Sequence, residues 1–326
     1  MRSVRFDKFG EPAEVLKIEE LPVPESGRGQ MLIRMRARAV NPSDLLTVRG
    51  LYGVLPRLPA SPGVEGVGVI EEIGADVEEF HVGQRVIPIG VAGTWQEYLL
   101  AQSNKVILCP DAINDSTAAQ FVVNPLTAWV MTTEELALRP GDWLLQTAAG
   151  STLGRIVLQL SALRGFKTIN VVRRREQVEE LKELGADEVI CTEDESLVER
   201  VMSITNQAGV RAAIDAVGGK VGGKVASVLG RGGTMLVYGL LSLEHMPLNT
   251  GRMIFRSTSI RGFWLDDWFR RTPVEEQRKI GGELLGLMAN GRVVPPVEAE
   301  YELKEVVEAV RHAERPGRRG KVLLVG

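Results

Sequence analysis

The sequence predicts an α/β protein with two domains, a small β-barrel and a doubly wound parallel sheet. In the first part of the chain, short segments with partial period-2 alternation are bounded by Gly and Pro, as in barrels of short strands. From Asp115 onward, apolar runs of strand length alternate with helical segments, which is typical of parallel strands joined by crossover helices. The 326 residues are enough for both domains.

Three segments near the start predict the barrel strands, at residues 31–40, 66–74 and 84–88. The terminal strand at 320–325 follows no new domain-sized stretch, so we expect it to return and complete the barrel domain. The predicted barrel domain is therefore 1–116 together with 270–326.

A long helix opens the second domain, which we expect to cover residues 117–269. This helix is predicted over Ser116–Leu138, with Asp115 as its N-cap and Pro140-Gly141 after its end. The alternating strands and helices that follow are predicted at 142–147, 152–164, 167–172, 175–184, 187–191, 194–207, 211–216, 219–229 and 233–238. A strand at 259–264 extends the sheet, and helical segments follow near 274–290 and 301–314.

Composition and charge exclude several classes of function. The formal net charge of −3 gives no electrostatic case for a nucleic acid or an anionic membrane as partner. No apolar run approaches the roughly 20 residues of a membrane helix, and the first residues lack the apolar stretch of a signal peptide. Cys109 and Cys191 have no metal or redox spacing. We therefore expect a cytoplasmic protein.

The turn between the first two strands of the parallel sheet has the features of a nucleotide-binding unit. An apolar strand at 143–147 leads into the small residues 148–154, and a helix leaves them, so a pyrophosphate could bind at the helix N-terminus. The next strand ends on Arg173, Arg174 and Arg175, where an acid would bind a ribose 2′-hydroxyl and arginines instead attract a 2′-phosphate. The cofactor is therefore predicted to be NADPH. A plain crossover packed through small residues, with solvated arginines, remains the alternative.

A second set of motifs resembles the medium-chain dehydrogenase/reductase superfamily. It consists of Gly63-x-Glu65-x-x-Gly68, Gly74 and Val82-Gly83-Gln84-Arg85-Val86. In the zinc alcohol dehydrogenases of this superfamily a histidine ligand stands where this chain has Val64, and a cysteine ligand is missing from the stretch 40–44. Tetrahedral zinc needs thiolate or imidazole donors, so the resemblance implies a zinc-independent member with no metal.

Within that superfamily, the chain is similar to the mitochondrial-type 2-enoyl thioester reductases, which act on enoyl-CoA or enoyl-acyl-carrier-protein. The blocks that carry this similarity are Asn41-Pro42-Ser43-Asp44, Gly50-Leu51-Tyr52-Gly53, Leu55-Pro56, Leu58-Pro59, Gly93-Thr94-Trp95, Asn124-Pro125-Leu126-Thr127-Ala128, Thr168-Ile169-Asn170-Val171-Val172-Arg173, Arg231-Gly232-Gly233-Thr234-Met235, Tyr238-Gly239 and Arg261-Gly262-Phe263-Trp264-Leu265. The resemblance implies a GroES-like barrel domain, a Rossmann domain for NADPH and a homodimer. It also implies reduction of the 2,3 double bond, with a hydride to Cβ and a proton to Cα.

The resemblance also assigns roles to individual residues. Tyr52 is the candidate acid, because a phenol is protonated at neutral pH and can donate its proton. The candidate cofactor-binding residues are Asn124, Gly150, Ser151, Thr152, Leu153, Arg173, Arg174, Arg175, Tyr238, Gly239, Leu240, Leu241, Phe263, Trp264, Leu265 and Lys321. Within the arginine triplet, Arg173 and Arg175 are the expected phosphate clamp. Core packing for the aromatic residues, and a kink before Pro125 for Asn124, remain alternatives.

Three functions stay open from the sequence. The first is an NADPH-dependent reductase of enoyl thioesters, with acyl carrier protein as a possible carrier of the substrate. The second is an NADPH-dependent quinone or enone reductase on the same fold, which needs no carrier arm. The third is a non-enzymatic NADPH-binding protein, because a fold by itself does not establish an activity.

Overall fold

The computed structural model describes residues 1–326 and divides the chain into two compact units. Met1–Leu126 and Val274–Gly326 form the barrel unit, and Thr127–Pro273 form the nucleotide unit. These divisions fall somewhat later in the chain than the predicted boundaries at 116 and 269. The α/β class, with a barrel-type domain and a parallel sheet, is confirmed.

The chain contains fifteen strands and twelve α-helices. The strands are β1 Arg2–Arg5, β2 Lys17–Glu20, β3 Gln30–Ala39, β4 Gly66–Ile73, β5 Arg85–Pro88, β6 Tyr98–Gln102, β7 Val106–Leu108, β8 Trp143–Gln146, β9 Lys167–Val172, β10 Glu188–Cys191, β11 Val210–Asp215, β12 Leu229–Val237, β13 Ser259–Gly262, β14 Val297–Glu302 and β15 Lys321–Val325. The helices are α1 Pro12–Val15, α2 Pro42–Arg49, α3 Asp115–Ala118, α4 Thr127–Trp129, α5 Thr152–Arg164, α6 Glu176–Glu183, α7 Leu197–Ile204, α8 Gly219–Ser227, α9 Thr250–Arg256, α10 Leu265–Arg271, α11 Val274–Ala289 and α12 Val306–Ala313. None of the helices combines the length and the apolar run that crossing a bilayer requires.

The barrel unit is organised around β3, the longest strand. β3 pairs antiparallel with β4 on one side, and with β6 and then β15 on the other, in a sheet of order β14-β15-β3-β4-β5-β7. Leu323 of β15 lies opposite Ala39, so the C-terminal strand completes this sheet. The fully buried Trp95 donates from Nε1 to the carbonyl oxygen of Ala39 at 3.2 Å, which ties the core to the end of β3.

The nucleotide unit is a six-stranded sheet of order β10-β9-β8-β11-β12-β13, and every pair in it is parallel. From β8 the chain winds outward through β9 to β10, and then returns to β11 and winds the other way to β13. The strand order therefore reverses between β8 and β11. Open α/β sheets bind ligands at the carboxyl ends of the strands beside such a reversal.

Several predicted elements differ from the observed ones. The predicted 116–138 helix is a broken segment, in which α3 is capped by Asn114 rather than Asp115. The Asn114 side chain accepts from the Thr117 amide at 2.8 Å. Pro125 lacks an N–H and cannot continue a regular α-helix, so Val122–Leu126 adopts a π-helical turn, closed by Leu126 N–H on the Phe121 carbonyl at 3.3 Å.

Elsewhere the differences concern shorter stretches. Helix α2 occupies residues where only a motif was recognised, with Asn41 at its N-cap and Gly50 in the left-handed conformation after it. Strand β14 covers 297–302, so the predicted 301–314 helix is reduced to α12. Strand β12 begins at Leu229, the last residue of the predicted 219–229 helix, and its pairing with β11 is irregular between Leu229 and Thr234.

Candidate functional site

A buried hydrogen-bond network joins the ends of β8 and β11, the two strands on either side of the reversal in the nucleotide unit. The fully buried carboxyl of Asp215, at the end of β11, accepts from Thr147 Oγ1 at 2.6 Å. It also accepts from the main-chain N–H groups of Val217 and Gly218, at 3.1 and 2.8 Å. Asp215 thereby fixes the turns that follow β8 and β11.

The turn after β8 has the conformation that a glycine-rich loop would give. Ala148 adopts the left-handed conformation with φ +51°, at the place where the sequence lacks an expected glycine. Ser151 caps α5, and its hydroxyl accepts from the Gly154 amide at 3.2 Å. A Cβ on Gly154 would overlap the carbonyl oxygen of Ala149, so this close approach of helix and loop requires glycine.

The predicted residues Gly150, Ser151, Thr152 and Leu153 thus form the turn and the first residues of a 13-residue helix. The first N–H groups of a helix lack partners within the helix, and the helix dipole favours an anion beside them. Arg155, which the sequence analysis missed, donates to the Gly150 carbonyl at 3.1 Å and pairs with Glu180 at 2.8 Å. No local pattern in the sequence pointed to Arg155, because its partner Glu180 lies in the next helix, α6.

The three arginines after β9 are not equivalent. Arg175 makes two hydrogen bonds to the carboxylate of Asp194, at 2.9 and 2.7 Å. Arg173 is exposed and Arg174 is half-buried. Arg175 is thus paired with a carboxylate of its own unit, and the clamp formed by Arg173 and Arg175 stays a prediction.

The remaining predicted residues of this unit also lie at the carboxyl edge of the sheet. Tyr238 directly follows β12 and donates its amide to the Asp215 carbonyl at 2.9 Å, and burial raises the pKa of its phenol. Gly239 follows, and a Cβ there would overlap the Ala216 carbonyl. Leu240 and Leu241 are exposed.

Phe263 and Trp264 follow β13 at the same edge of the sheet. Phe263 is buried and donates its amide to the Val237 carbonyl at 2.8 Å. Trp264 is half-buried and precedes Leu265, the first residue of α10, and the Arg270 guanidinium lies 4.9 Å from the Trp264 ring centre. The structure therefore brings the predicted turn, arginines, tyrosine and aromatic pair to one edge of the sheet.

In the barrel unit, Tyr52 lies in the loop after α2. Gly50 turns the chain out of the helix with φ +76°. Tyr52 is half-buried, while its neighbours Leu51, Val54 and Leu55 are exposed apolar residues. A half-buried phenol among exposed aliphatic side chains suits an apolar substrate that needs a proton donor.

A second group of polar residues is buried inside the barrel unit. Glu65, which is fully buried, accepts from the Val123 amide through Oε2 and from Asn41 Nδ2 through Oε1, both at 2.8 Å. Asn41 Oδ1 in turn accepts from Lys321 Nζ at 2.7 Å. Asn124 follows Val123, is nine-tenths buried, and its Nδ2 has no hydrogen-bond partner within the protein.

Burial shifts the pKa values in this group. Desolvation lowers the pKa of Lys321 to about 8, although Glu65 opposes the shift. Desolvation likewise raises the pKa of Glu65, opposed by Lys321 and by the hydrogen bonds it accepts. Asp44, the third titratable member, has its pKa raised to about 7 by burial and by the nearby Glu65.

Lys321 is 95% buried and its amine donates to Asn41, and its predicted role as a cofactor contact stays a prediction. Asn124 and Lys321 were candidates from the sequence, whereas Asn41, Asp44 and Glu65 were not predicted as members of this buried network. An acid inside the apolar, glycine-rich run 63–70 was the available signal, because a buried charge requires a partner.

No group of three or more His, Cys, Asp or Glu side chains is placed to hold a metal ion. Val64 occupies the former histidine position beside Glu65. The nucleotide unit fits a nicotinamide cofactor in one respect: the N-terminus of α5 lies at the same edge of the sheet as the arginines after β9.

Comparison with known proteins adds independent findings. Residues 27–111 match the model of the alcohol dehydrogenase GroES-like domain, and residues 152–276 match that of the zinc-binding dehydrogenases. The chain is 33% identical over 332 residues to the mitochondrial enoyl-acyl-carrier-protein reductase of Xenopus tropicalis, covering 99% of this chain and 95% of that protein. It is 36% identical to the protein of the same name from Caenorhabditis elegans, covering 95% and 90%.

Solved structures give a related result. An NADPH:quinone reductase from Bacillus thuringiensis superposes with a TM-score of 0.94 at 38% identity, covering 100% of this chain and 98% of that one. The quinone oxidoreductase of Escherichia coli in complex with NADPH superposes with a TM-score of 0.92 at 27% identity, covering both chains completely.

Proposed function

Because the chain belongs to the mitochondrial-type enoyl-acyl-carrier-protein reductase family, within the zinc-independent, quinone oxidoreductase-like medium-chain reductases, we propose that it reduces 2-enoyl thioesters with NADPH. The reaction saturates the 2,3 double bond. The observation that carries the proposal is the position of Tyr52, a half-buried phenol beside exposed aliphatic side chains in the loop after α2.

The chain's own residues supply orientation, hydrogen bonds and a proton. NADPH supplies the hydride, which goes to Cβ of the substrate. The turn at 148–151, the start of α5 and Arg173 would hold the phosphates of the cofactor. As negative charge develops on the thioester oxygen, hydrogen-bond donors stabilise the enolate, since no Lewis acid is needed when donors are in place.

Tyr52 completes the reaction by donating its proton to Cα. The phenol O–H bond breaks, the new C–H bond forms, and the tyrosinate recovers a proton from water. The exposed Leu51, Val54 and Leu55 would contact the acyl chain, which explains apolar side chains left in water in the loop that carries the acid.

The direct test compares acceptors. We expect kcat/KM for crotonyl-CoA to exceed that for 1,4-benzoquinone, because specificity is set by this ratio. Replacing Tyr52 by Phe should abolish most of the crotonyl-CoA activity. An enzyme that prefers the quinone and is indifferent to this substitution would contradict the proposal.

The second candidate is an NADPH-dependent quinone or enone reductase. The similarity to structures named as quinone reductases, at up to 38% identity among those described above, favours it. Quinone reduction needs neither an acid for carbon nor a thioester arm, so it should survive loss of the Tyr52 hydroxyl.

We further propose that acyl carrier protein can deliver the substrate and that the protein is a homodimer. Strand β13 is an edge strand of the six-stranded sheet, and helix α9 before it exposes Ile254 and Phe255 at 70% and 76%. Light scattering would measure the molar mass in solution and so the oligomeric state.

A cytoplasmic location also remains a proposal, and the two unpaired, buried cysteines fit any reducing compartment.

A further inference from the structure

A buried arginine in α5 holds the peptide group that precedes this helix. The side chain of Arg155 is buried, and its Nε donates to the carbonyl oxygen of Gly150 at 3.1 Å. The N–H of the same peptide group belongs to Ser151 and donates to the Ala148 carbonyl at 2.9 Å. Both polar ends of the peptide group are therefore engaged, so it cannot rotate without losing two hydrogen bonds.

The glycine at this point makes such a restraint necessary. Gly150 has no Cβ, so its backbone can adopt more conformations than that of other residues. The side-chain amide of Gln177 packs directly against it, where a Cβ on Gly150 would overlap that amide. Arg155 thus supplies from a side chain the conformational restraint that glycine itself lacks.

The guanidinium of Arg155 is in turn anchored to the next helix, α6. Arg155 Nη2 lies 2.8 Å from Glu180 Oε1. Gln177 and Glu180 are three residues apart in α6, so they lie on the same face of this helix. One face of α6 therefore packs against the glycine and also holds the arginine that restrains it.

We propose that Arg155 is a positioning residue for the pyrophosphate of NADPH, with Glu180 as its anchor. By holding the Gly150 carbonyl, Arg155 keeps this oxygen from turning toward the phosphates, where like charges would repel. The N–H groups of Thr152 and Leu153 have no acceptor within the helix and then keep a fixed direction for the anion. Arg155 acts through the turn and does not touch the cofactor. The inference rests on the proposed function only in taking NADPH as the cofactor.

The test measures dissociation constants of the full chain without substrate, for NADPH by its fluorescence and for two fragments by displacement of NADPH. Both fragments lack nicotinamide. 2′-Phospho-ADP-ribose carries the pyrophosphate and the 2′-phosphate, whereas adenosine 2′-monophosphate carries only the 2′-phosphate. Arg155→Met should bind NADPH and 2′-phospho-ADP-ribose about 3- to 10-fold more weakly, the effect of one lost hydrogen bond. Its affinity for adenosine 2′-monophosphate should be unchanged.

Two further variants separate positioning from charge. Arg155→Lys keeps the charge beside Glu180 but has one nitrogen where the guanidinium uses two, so it should bind NADPH as weakly as Arg155→Met. Glu180→Gln removes a negative charge close to the turn, which would tighten the binding of an anion if charge alone mattered. It should instead weaken NADPH binding about 2- to 4-fold, because the guanidinium loses part of its anchor.

Arg200→Met is the matched control, because it removes another arginine that pairs with a glutamate of the same unit. Arg200 Nη2 lies 2.8 Å from Glu188 Oε2, and Glu188 begins β10 at the amino edge of the sheet, away from the turn after β8. This variant should leave all three dissociation constants unchanged.

Thermal melts show which variants fold, and if Arg155→Met does not, Arg155→Lys and Glu180→Gln carry the test. An equal loss of affinity for both fragments would overturn the inference, because it indicates a general loosening of the unit. So would wild-type NADPH affinity in Arg155→Met or Arg155→Lys, or tighter binding by Glu180→Gln. Those results leave the reductase function in place, whereas a wild-type chain that does not bind NADPH would contradict both.

Discussion

Replacing Asp44 by Asn should make the barrel unit more stable near neutral pH and leave it nearly unchanged in acid. Asp44 is 99% buried, and its Oδ2 accepts from the Asn41 amide at 2.8 Å. Its Oδ1 is buried without any partner. An ionised carboxylate could not leave one oxygen unsolvated at low cost, so the folded protein prefers the neutral acid.

The magnitude follows from the pKa. Burial, with the nearby Glu65, raises the pKa of Asp44 from 3.8 to about 7. Roughly three pH units at about 1.4 kcal/mol each give a penalty of about 4 kcal/mol above pH 7. The acid binds its proton more tightly when folded, so its contribution is full below pH 4 and is lost as pH rises toward 7. The asparagine variant lacks this loss, and its advantage over wild type should grow by about 3 kcal/mol between pH 4.5 and 7.5.

The assay must report the barrel unit alone. Trp95 is the only one of the five tryptophans in that unit, and it is fully buried. Urea unfolding followed by the fluorine signal of 5-fluorotryptophan at Trp95 therefore gives the free energy of unfolding of this unit. The lowered pKa of Lys321, about 8, has the opposite pH dependence above pH 8, so the titration stays below that value.

Asp111→Asn is the matched control, the same carboxyl-to-amide change on an exposed side chain of the barrel unit, and it should change the free energy of unfolding by less than about 0.5 kcal/mol. If Asp44→Asn is less stable than wild type by the same amount at every pH, the folded protein does not hold Asp44 as a neutral acid. That result would mean that the folded protein holds Asp44 ionised, paired with Lys321.

Three further predictions concern the site. Tyr52→Phe should lower kcat for crotonyl-CoA about 100- to 10,000-fold with little change in KM for NADPH, and normal turnover in a steady-state assay would exclude Tyr52 as the acid. Arg173→Ala should raise KM for NADPH about 10- to 100-fold and leave KM for NADH nearly unchanged. Arg175→Ala should raise KM for NADPH less, because Asp194 already compensates the charge of Arg175. Equal effects on both cofactors would argue against a 2′-phosphate site. Gly154→Ala should destabilise the nucleotide unit by about 1–3 kcal/mol in a thermal melt, and an unchanged melting temperature would show that the turn can relax around a Cβ.

The order of strands and helices in the nucleotide unit was predictable because each element has its own apolar run between turn residues. The predicted strand at 167–172 and helix at 152–164 coincide with β9 and α5. The segment 115–135 was not predictable in detail. Its composition is that of one helix, and the break depends on how the chain around Pro125 is held by a residue distant in sequence, Glu65.

The candidate site also has some parts that local sequence predicts and others that it does not. Residues predicted to bind the cofactor through their backbone, such as those around Ser151, follow from local sequence, because a cap and small residues specify a turn. Ala148 shows the limit of the glycine pattern, since it takes the left-handed conformation without being glycine. The pairing of Arg175 with Asp194 and the network around Glu65 join residues far apart in sequence, and only the folded chain brings them together.

The proposed reaction adds a hydride to Cβ and a proton to Cα of an enoyl thioester. It is tested most directly by reducing crotonyl-CoA with NADPH deuterated at C4 and, separately, with ordinary NADPH in deuterium oxide, and locating the label in the product by mass spectrometry and NMR. We expect butyryl-CoA with one deuterium at Cβ in the first experiment and one at Cα in the second. Oxidation of NADPH without labelled butyryl-CoA, or the C4 label found at Cα, would contradict it.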